Sequence, residues 1–203
     1  MEEILPGVHH WTAYRETIGM PVHSHYFAPA ATLFDPMVPD DGLDAVAALG
    51  TPERIVLSNR HHYRFAGEFA ERFGCTVLCH EAGLHAFEDG RTVEGFRFGD
   101  EIAPGVTALD LGALTAEEAA LRIDSGPGAL LFADTIYRDE GGELRYPPDF
   151  LIGDDAEGVK RAMTARLAQV AAAGGFDALL FAHADPLAEG GRAALDGFLA
   201  ERA

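Results

Sequence analysis

The stretch "VLSNRHHYRFAGEFAERFG", Val56 to Gly74, sets two adjacent histidines between arginines where an apolar run gives way to a helical pattern. Just upstream, "RIVLS" reads as a short buried strand. Downstream, "YRFAGEFAERFG" has the apolar spacing of an amphipathic helix, and Gly74 supplies its stop. "CTVLC" then reads as the next strand. Strand, polar turn, helix and strand in that order make a unit of layered α/β structure, where chemistry gathers at strand ends.

Working outward, "GVHHWTAYR", "HSHYFA" and "ATLFD" read as three earlier strands, the last ending at Asp35-Pro36. "PDDGLDAVAALG" has helix chemistry closed by Gly50, and a short helix is expected at "EAGLHAF". "GFRFG", "GVTALDL", "AALRID" and "GALLFAD" follow as consecutive strands divided by Gly, Pro and Asp. The clearest helix is "GDDAEGVKRAMTARLAQVAAAGG". Asp154 and Glu157 resemble a capping box there, and Val159, Met163, Leu167 and Val170 form one apolar face. "DALLFAH" is a buried strand ending at His183, and "GGRAALDGFLAERA" a last helix. The pattern suits a single α/β domain over residues 1–203.

At 203 residues and 48% hydrophobic, the chain can bury a substantial core. Fifteen basic against 33 acidic residues give a formal charge of −18, with Lys160 the sole lysine. Such a balance argues against nucleic acid or an anionic membrane as a partner and leaves a small-molecule ligand. "MEEILPGVHHW" lacks the basic region and apolar run of a signal peptide, so a cytoplasmic protein is expected. Cys75 and Cys79 on one strand would lie ~13 Å apart, too far to be bridged, and read as buried thiols.

Three polar residues each follow an apolar strand: His61 after "IVLS", Asp134 closing "ALLFAD" and His183 closing "DALLFAH". Together with "ATLFDP" and "IVLSNRHHYRFAGEFAERFGCTVLCHEAG", their order resembles the metallo-β-lactamase superfamily over most of the chain. The resemblance implies a four-layer αβ/βα sandwich, two mixed sheets flanked by helices, with the site at one edge between the sheets. It also implies that "GALLFADTIY" delivers a metal-bridging aspartate and "LLFAHADP" a final histidine ligand.

The superfamily's His-x-His-x-Asp-His motif, laid on "NRHHYR", puts Asn59 and His61 in the first two histidine slots. Tyr63 falls in the aspartate slot and Arg64 in the last histidine slot. A further ligand slot falls on Leu114 or Ala113, and no histidine occurs between His85 and His183. Three of seven implied ligands remain: His61, Asp134 and His183. A guanidinium offers no lone pair. At ~4 Å and an effective dielectric of ~20 it repels a divalent ion by roughly 8 kcal/mol. That is comparable to much of the ~10–16 kcal/mol of a fully liganded structural zinc site.

The motif therefore reads as the remains of a metal site. No cofactor is expected beyond zinc or another divalent metal at low occupancy, and Arg64 is expected to pair with Asp134 in place of a cation. Asn59, His61, Tyr63, Arg64, Asp134 and His183 are the expected ligand-binding set, for a small molecule, anions included. His61, Asp134 and His183 are also the catalytic candidates, and the alternative is a hydrolase of ester, thioester or amide bonds using one metal held by those three. His62 is expected to face outward or pack locally. His23 and His25 share one strand face in a structural role, and Asp185 orients His183 or caps the turn before Pro186.

Overall fold

Alternation within short apolar strands builds two sheets that are buried on both faces. In a computed structural model, which describes residues 1–202, strands run β1 (Glu2–Leu5), β2 (Val8–Arg15), β3 (Met20–Phe27) and β4 (Thr32–Phe34). They continue with β5 (Arg54–Val56), β6 (Thr76–His80) and β7 (Glu94–Phe96). These seven form one sheet in chain order, antiparallel through β4 and parallel from β4 to β7. β8 (Glu101–Ala103), β9 (Val106–Asp110), β10 (Ala119–Ile123) and β11 (Ala129–Phe132) belong to the second sheet. A small hairpin, β12 (Tyr137–Arg138) and β13 (Leu144–Arg145), precedes its last strand, β14 (Ala178–Phe181). That sheet is ordered β14-β11-β10-β9-β8, with β11 and β14 parallel.

Side chains of one strand go to different cores, as a two-residue period requires. Phe34, Val56, Leu131 and Leu180 meet between the sheets. Their neighbours Leu33 and Ile55 pack instead with Val46 of α1 (Leu43–Ala47) and Phe69 of α2 (Ala66–Phe73). A one-turn α3 (Asp149–Ile152) precedes the two C-terminal helices, α4 (Ala156–Ala173) and α5 (Gly191–Ala200). Leu130 and Leu179 pack with Leu167 of α4 and Leu195 of α5. Three apolar layers thus separate helix, sheet, sheet and helix. Each fully buried Leu, Ile or Phe stabilises this packing by about 1.5–3 kcal/mol.

Two local readings change. The cap of α4 is Asp155, whose side chain accepts from the Gly158 N–H at 3.0 Å, rather than Asp154. The helix expected from Tyr63 is interrupted. A 3-10 turn covers Arg60–Tyr63, Arg64 takes φ 42°, and only then does α2 begin. Cys75 and Cys79 are buried free thiols. Among the described residues no helix is long and apolar enough to cross a membrane.

Candidate metal centre

Strand register brings Asp134 and His183 level. β11 and β14 run parallel with Phe132 opposite Phe181, so residues two beyond each strand emerge side by side. The Ala182 N–H donates to Phe132 O at 2.9 Å and extends that pairing past the strands. The other sheet meets this edge through Ser58, whose carbonyl accepts from the Ala119 N–H at 3.0 Å. It does so again through the His23 N–H, which donates to Ala182 O at 2.9 Å.

The 3-10 turn after β5 then delivers His62, not His61. Asn59 opens that turn, its Oδ1 accepting from the His61 N–H at 2.9 Å. Successive side chains of a 3-10 turn point about a third of a rotation apart, so neighbouring histidines cannot share a direction. His62 is buried and His61 exposed. His62 Nε2 lies 3.4 Å from Asp134 Oδ1 and 3.2 Å from His183 Nε2, and His183 Nε2 lies 3.1 Å from Asp134 Oδ1. These three atoms form the one group of the described residues arranged to hold a metal ion.

Behind His62 stands Asp35, at the end of β4 with φ 47°. Its Oδ2 faces His62 Nδ1 at 3.0 Å and accepts from the Ser58 hydroxyl at 2.5 Å, while Oδ1 accepts from the Ser58 N–H at 2.9 Å. Ser58 spends its proton on Asp35, so the His62 Nδ1 carries a hydrogen and donates it to the same carboxylate. When the ring is neutral, that fixes the tautomer and turns Nε2, with its lone pair, towards the cluster. Burial opposes charge on His62, but Asp134 and Asp35 more than offset it and raise its pKa to about 9. Burial and the charge of His62 outweigh the single Asp134 contact at His183 and hold its pKa below the usual value. Burial would raise the Asp134 carboxyl; His62 and His183 instead hold it well below the carboxylate range.

Two neighbours fix Asp134. Asn59 Nδ2 donates to its Oδ2 at 2.6 Å. Glu118, fully buried, accepts with Oε1 from the N–H groups of Asp134 and Thr135 at 3.0 and 2.6 Å, and from the Thr135 hydroxyl at 2.5 Å. Nothing in the acidic pair "EE" distinguished Glu118, because its role depends on the loop that β10 meets.

The remaining expected residues do not join the triangle. Arg64 makes no ion pair with Asp134 among the described residues. Its Nη1 donates to His23 O and Asp35 O at 2.8 Å each, and its Nη2 to Ala182 O at 3.2 Å. The left-handed φ of Arg64 reverses the chain and sends the side chain inward, where it ties strand ends of both sheets together. Tyr63 turns away, its ring packed by Phe87 and covered by the Arg91 guanidinium at 4.7 Å. Asp185 is largely exposed, and its carboxylate lies 3.9 Å from His23 rather than against His183.

No family model matches the sequence, and no curated protein does. Solved structures do match it. A metallo-beta-lactamase family protein from Thermus thermophilus superposes with a TM-score of 0.69 at 18% identity, covering 98% of this chain and 80% of that one. The chain has the metallo-β-lactamase fold. A metallo beta lactamase from Erythrobacter litoralis, solved with beta mercaptoethanol in its active site, matches with a TM-score of 0.68 at 15% identity, covering 96% of this chain and 93% of that one. TTHA1623, solved in a di-iron-bound form, matches with a TM-score of 0.62 at 18% identity, covering 93% of each chain.

Within this metallo-β-lactamase fold the donor atoms fit one ion. Tetrahedral bonds of ~2.0–2.1 Å place neighbouring ligand atoms ~3.3–3.4 Å apart. The triangle of His62, His183 and Asp134 has edges of 3.1, 3.2 and 3.4 Å. The buried Asp35 behind His62 is the outer partner that metal-ligating histidines ordinarily have. Asn59, Tyr63, Arg64 and Leu114 assemble no second set.

Proposed function

We propose that this cleft holds a divalent metal ion on His62, Asp134 and His183 and serves the hydrolysis of an ester, thioester or amide. The observation that carries the reading is the triangle of donor atoms, backed by Asp35 on the far side of His62. His183 and His62 present imidazole nitrogens, Asp134 presents Oδ1, Asn59 keeps that carboxylate from turning, and Glu118 holds the backbone that carries it. Three protein ligands and an open position are the arrangement of catalytic rather than structural zinc. Such an ion would polarise a scissile carbonyl and bring the pKa of water towards neutrality.

Metal content measured on protein prepared without chelators tests it. About one ion per chain is expected, lost in His62→Ala and His183→Ala and kept in His61→Ala. Hydrolysis of ester and thioester model substrates should stop with a chelator and return with zinc. Metal-free protein from a metal-replete preparation would sink the reading.

A second reading keeps the cleft metal-free. Both ring nitrogens of His62 face carboxylate oxygens, at 3.0 Å from Asp35 and 3.4 Å from Asp134, so an imidazolium could occupy the place of the ion. The cleft would then receive a small anion beside His183 and the exposed His61. Chelator-insensitive ligand binding would favour this reading.

A further inference from the structure

We propose that the cleft accepts one divalent ion and refuses a second, and that Asn59 and Arg64 are the residues that refuse it. The inference rests on reading His62, Asp134 and His183 as ion ligands.

An aspartate that joins two ions must turn one oxygen to each. Asp134 has Oδ1 towards His62 and His183, but its Oδ2 is taken by the Asn59 amide at 2.6 Å. That amide cannot simply flip. Its Oδ1 accepts from the His61 N–H at 2.9 Å, so the NH₂ end must face the carboxylate. An amide nitrogen offers a metal no lone pair. The position that would have to contribute a ligand to a second ion is thus a donor, occupied on both sides.

Charge points the same way. Arg64 is a fixed cation beside this cleft, half-buried and held by three backbone carbonyls, one of them that of Asp35. Its hydrogen-bonding partners are neutral, so its charge acts on the surrounding cleft. The guanidinium offsets part of the carboxylate charge of this cleft, and one divalent ion offsets more of it. A second ion would meet repulsion from the first ion and from Arg64. His61 is exposed, and its ring lies outside the donor triangle.

The test is stoichiometry on the full chain, stripped by chelator and dialysed, then titrated with Zn²⁺ by calorimetry and with Co²⁺ by paramagnetic resonance. Wild type should take up one equivalent, and its Co²⁺ signal should be that of an isolated ion. Asn59→Asp removes the amide donor and adds a carboxylate, and should take up more than one equivalent, with spin coupling between cobalt ions. Two tight equivalents in wild type would overturn the inference while leaving the ion-binding reading intact. No uptake in wild type would overturn both. A folded Asn59→Asp that still stops at one equivalent would strip Asn59 of its assigned part. If that variant does not fold, the wild-type stoichiometry and spin state still decide.

Discussion

Asp35 accepts a hydrogen bond from Nδ1 of His62 across 3.0 Å, joining residues 27 apart in sequence. The pair joins the end of β4 to the turn after β5, and it decides which ring nitrogen faces the cleft. Asp35→Asn keeps the size of the side chain but not its charge. It should weaken zinc binding about 10–100-fold, the usual effect of losing an outer partner of a metal-ligating histidine. Competition against a chromophoric chelator measures it. An unchanged affinity would mean that Asp35 only supports the fold.

Arg64 should behave as a strut rather than as the partner of Asp134. Its guanidinium ends on three carbonyls, and hydrogen bonds to a charged group contribute about 1.5–3 kcal/mol each. Arg64→Ala should therefore cost on the order of 3 kcal/mol or more in denaturant unfolding. Arg64→Gly should cost about 1 kcal/mol less than the alanine variant, because a φ of 42° strains a residue with a Cβ. Adding Asp134→Asn should not restore the loss. Recovery in that double variant would revive a direct pair.

The cap of α4 gives a smaller expectation. Asp155→Ala removes the acceptor of the Gly158 N–H and should cost about 1 kcal/mol, whereas Asp154→Ala should change stability by less than about 0.5 kcal/mol. Thermal or urea unfolding of the two single variants separates them.

Much of the fold was legible because short apolar runs that alternate between two cores leave a strong mark, as in "ALLF" of β11 and β14. Asp134 and His183 were legible as well, since each closes such a run. His62 was not. Choosing between adjacent histidines depends on the 3-10 geometry of Arg60–Tyr63 and on the reversal at Arg64, where a linear motif carries no information. Arg64 was misplaced for the same reason. A strand-end aspartate such as Asp35, able to orient one histidine from behind, was the available signal, and it became usable only with β4 beside β5.

His10, His23 and His25 give a pH dependence that is independent of any metal. They lie on one face of β2 and β3, with His10 Nε2 and His23 Nδ1 2.8 Å apart and both ring nitrogens of His25 buried without a protein partner. Burial, followed by neighbouring charge, lowers the pKa of His23 to about 4 and that of His25 well below the usual value. For His10 burial also wins, against the opposing pull of Asp185 and Glu2. Asp185 raises His23 as well, while His183 and Arg64 lower it; His10, His23 and Arg64 lower His25. The folded protein thus keeps neutral rings that the unfolded chain protonates near pH ~6.5. Their contribution is fully present above that pH and is lost as pH falls, by up to about 3 kcal/mol for His23 once pH passes its folded value. Other shifted groups titrate in the same window. His61, His80 and His183, lowered mainly by burial, add to this loss, whereas Glu118, raised by burial to about 8, takes up its proton in the folded protein first and opposes it. His62, raised to about 9, loses its contribution only above pH 6.5, and Asp35 and Asp134, both lowered, lose theirs only below about 4. Urea unfolding in a chelator, at steps from pH 7 to 4.5, should therefore be read as the difference between wild type and a variant that lacks one of these rings. His25→Phe replaces an unpartnered imidazole with an apolar ring and should gain stability relative to wild type as pH falls from 6.5 to 4.5, without losing any at pH 7. A difference between variant and wild type that stays constant from pH 6.5 to 4.5 would show that His25 takes up its proton in the folded state as readily as in the unfolded chain.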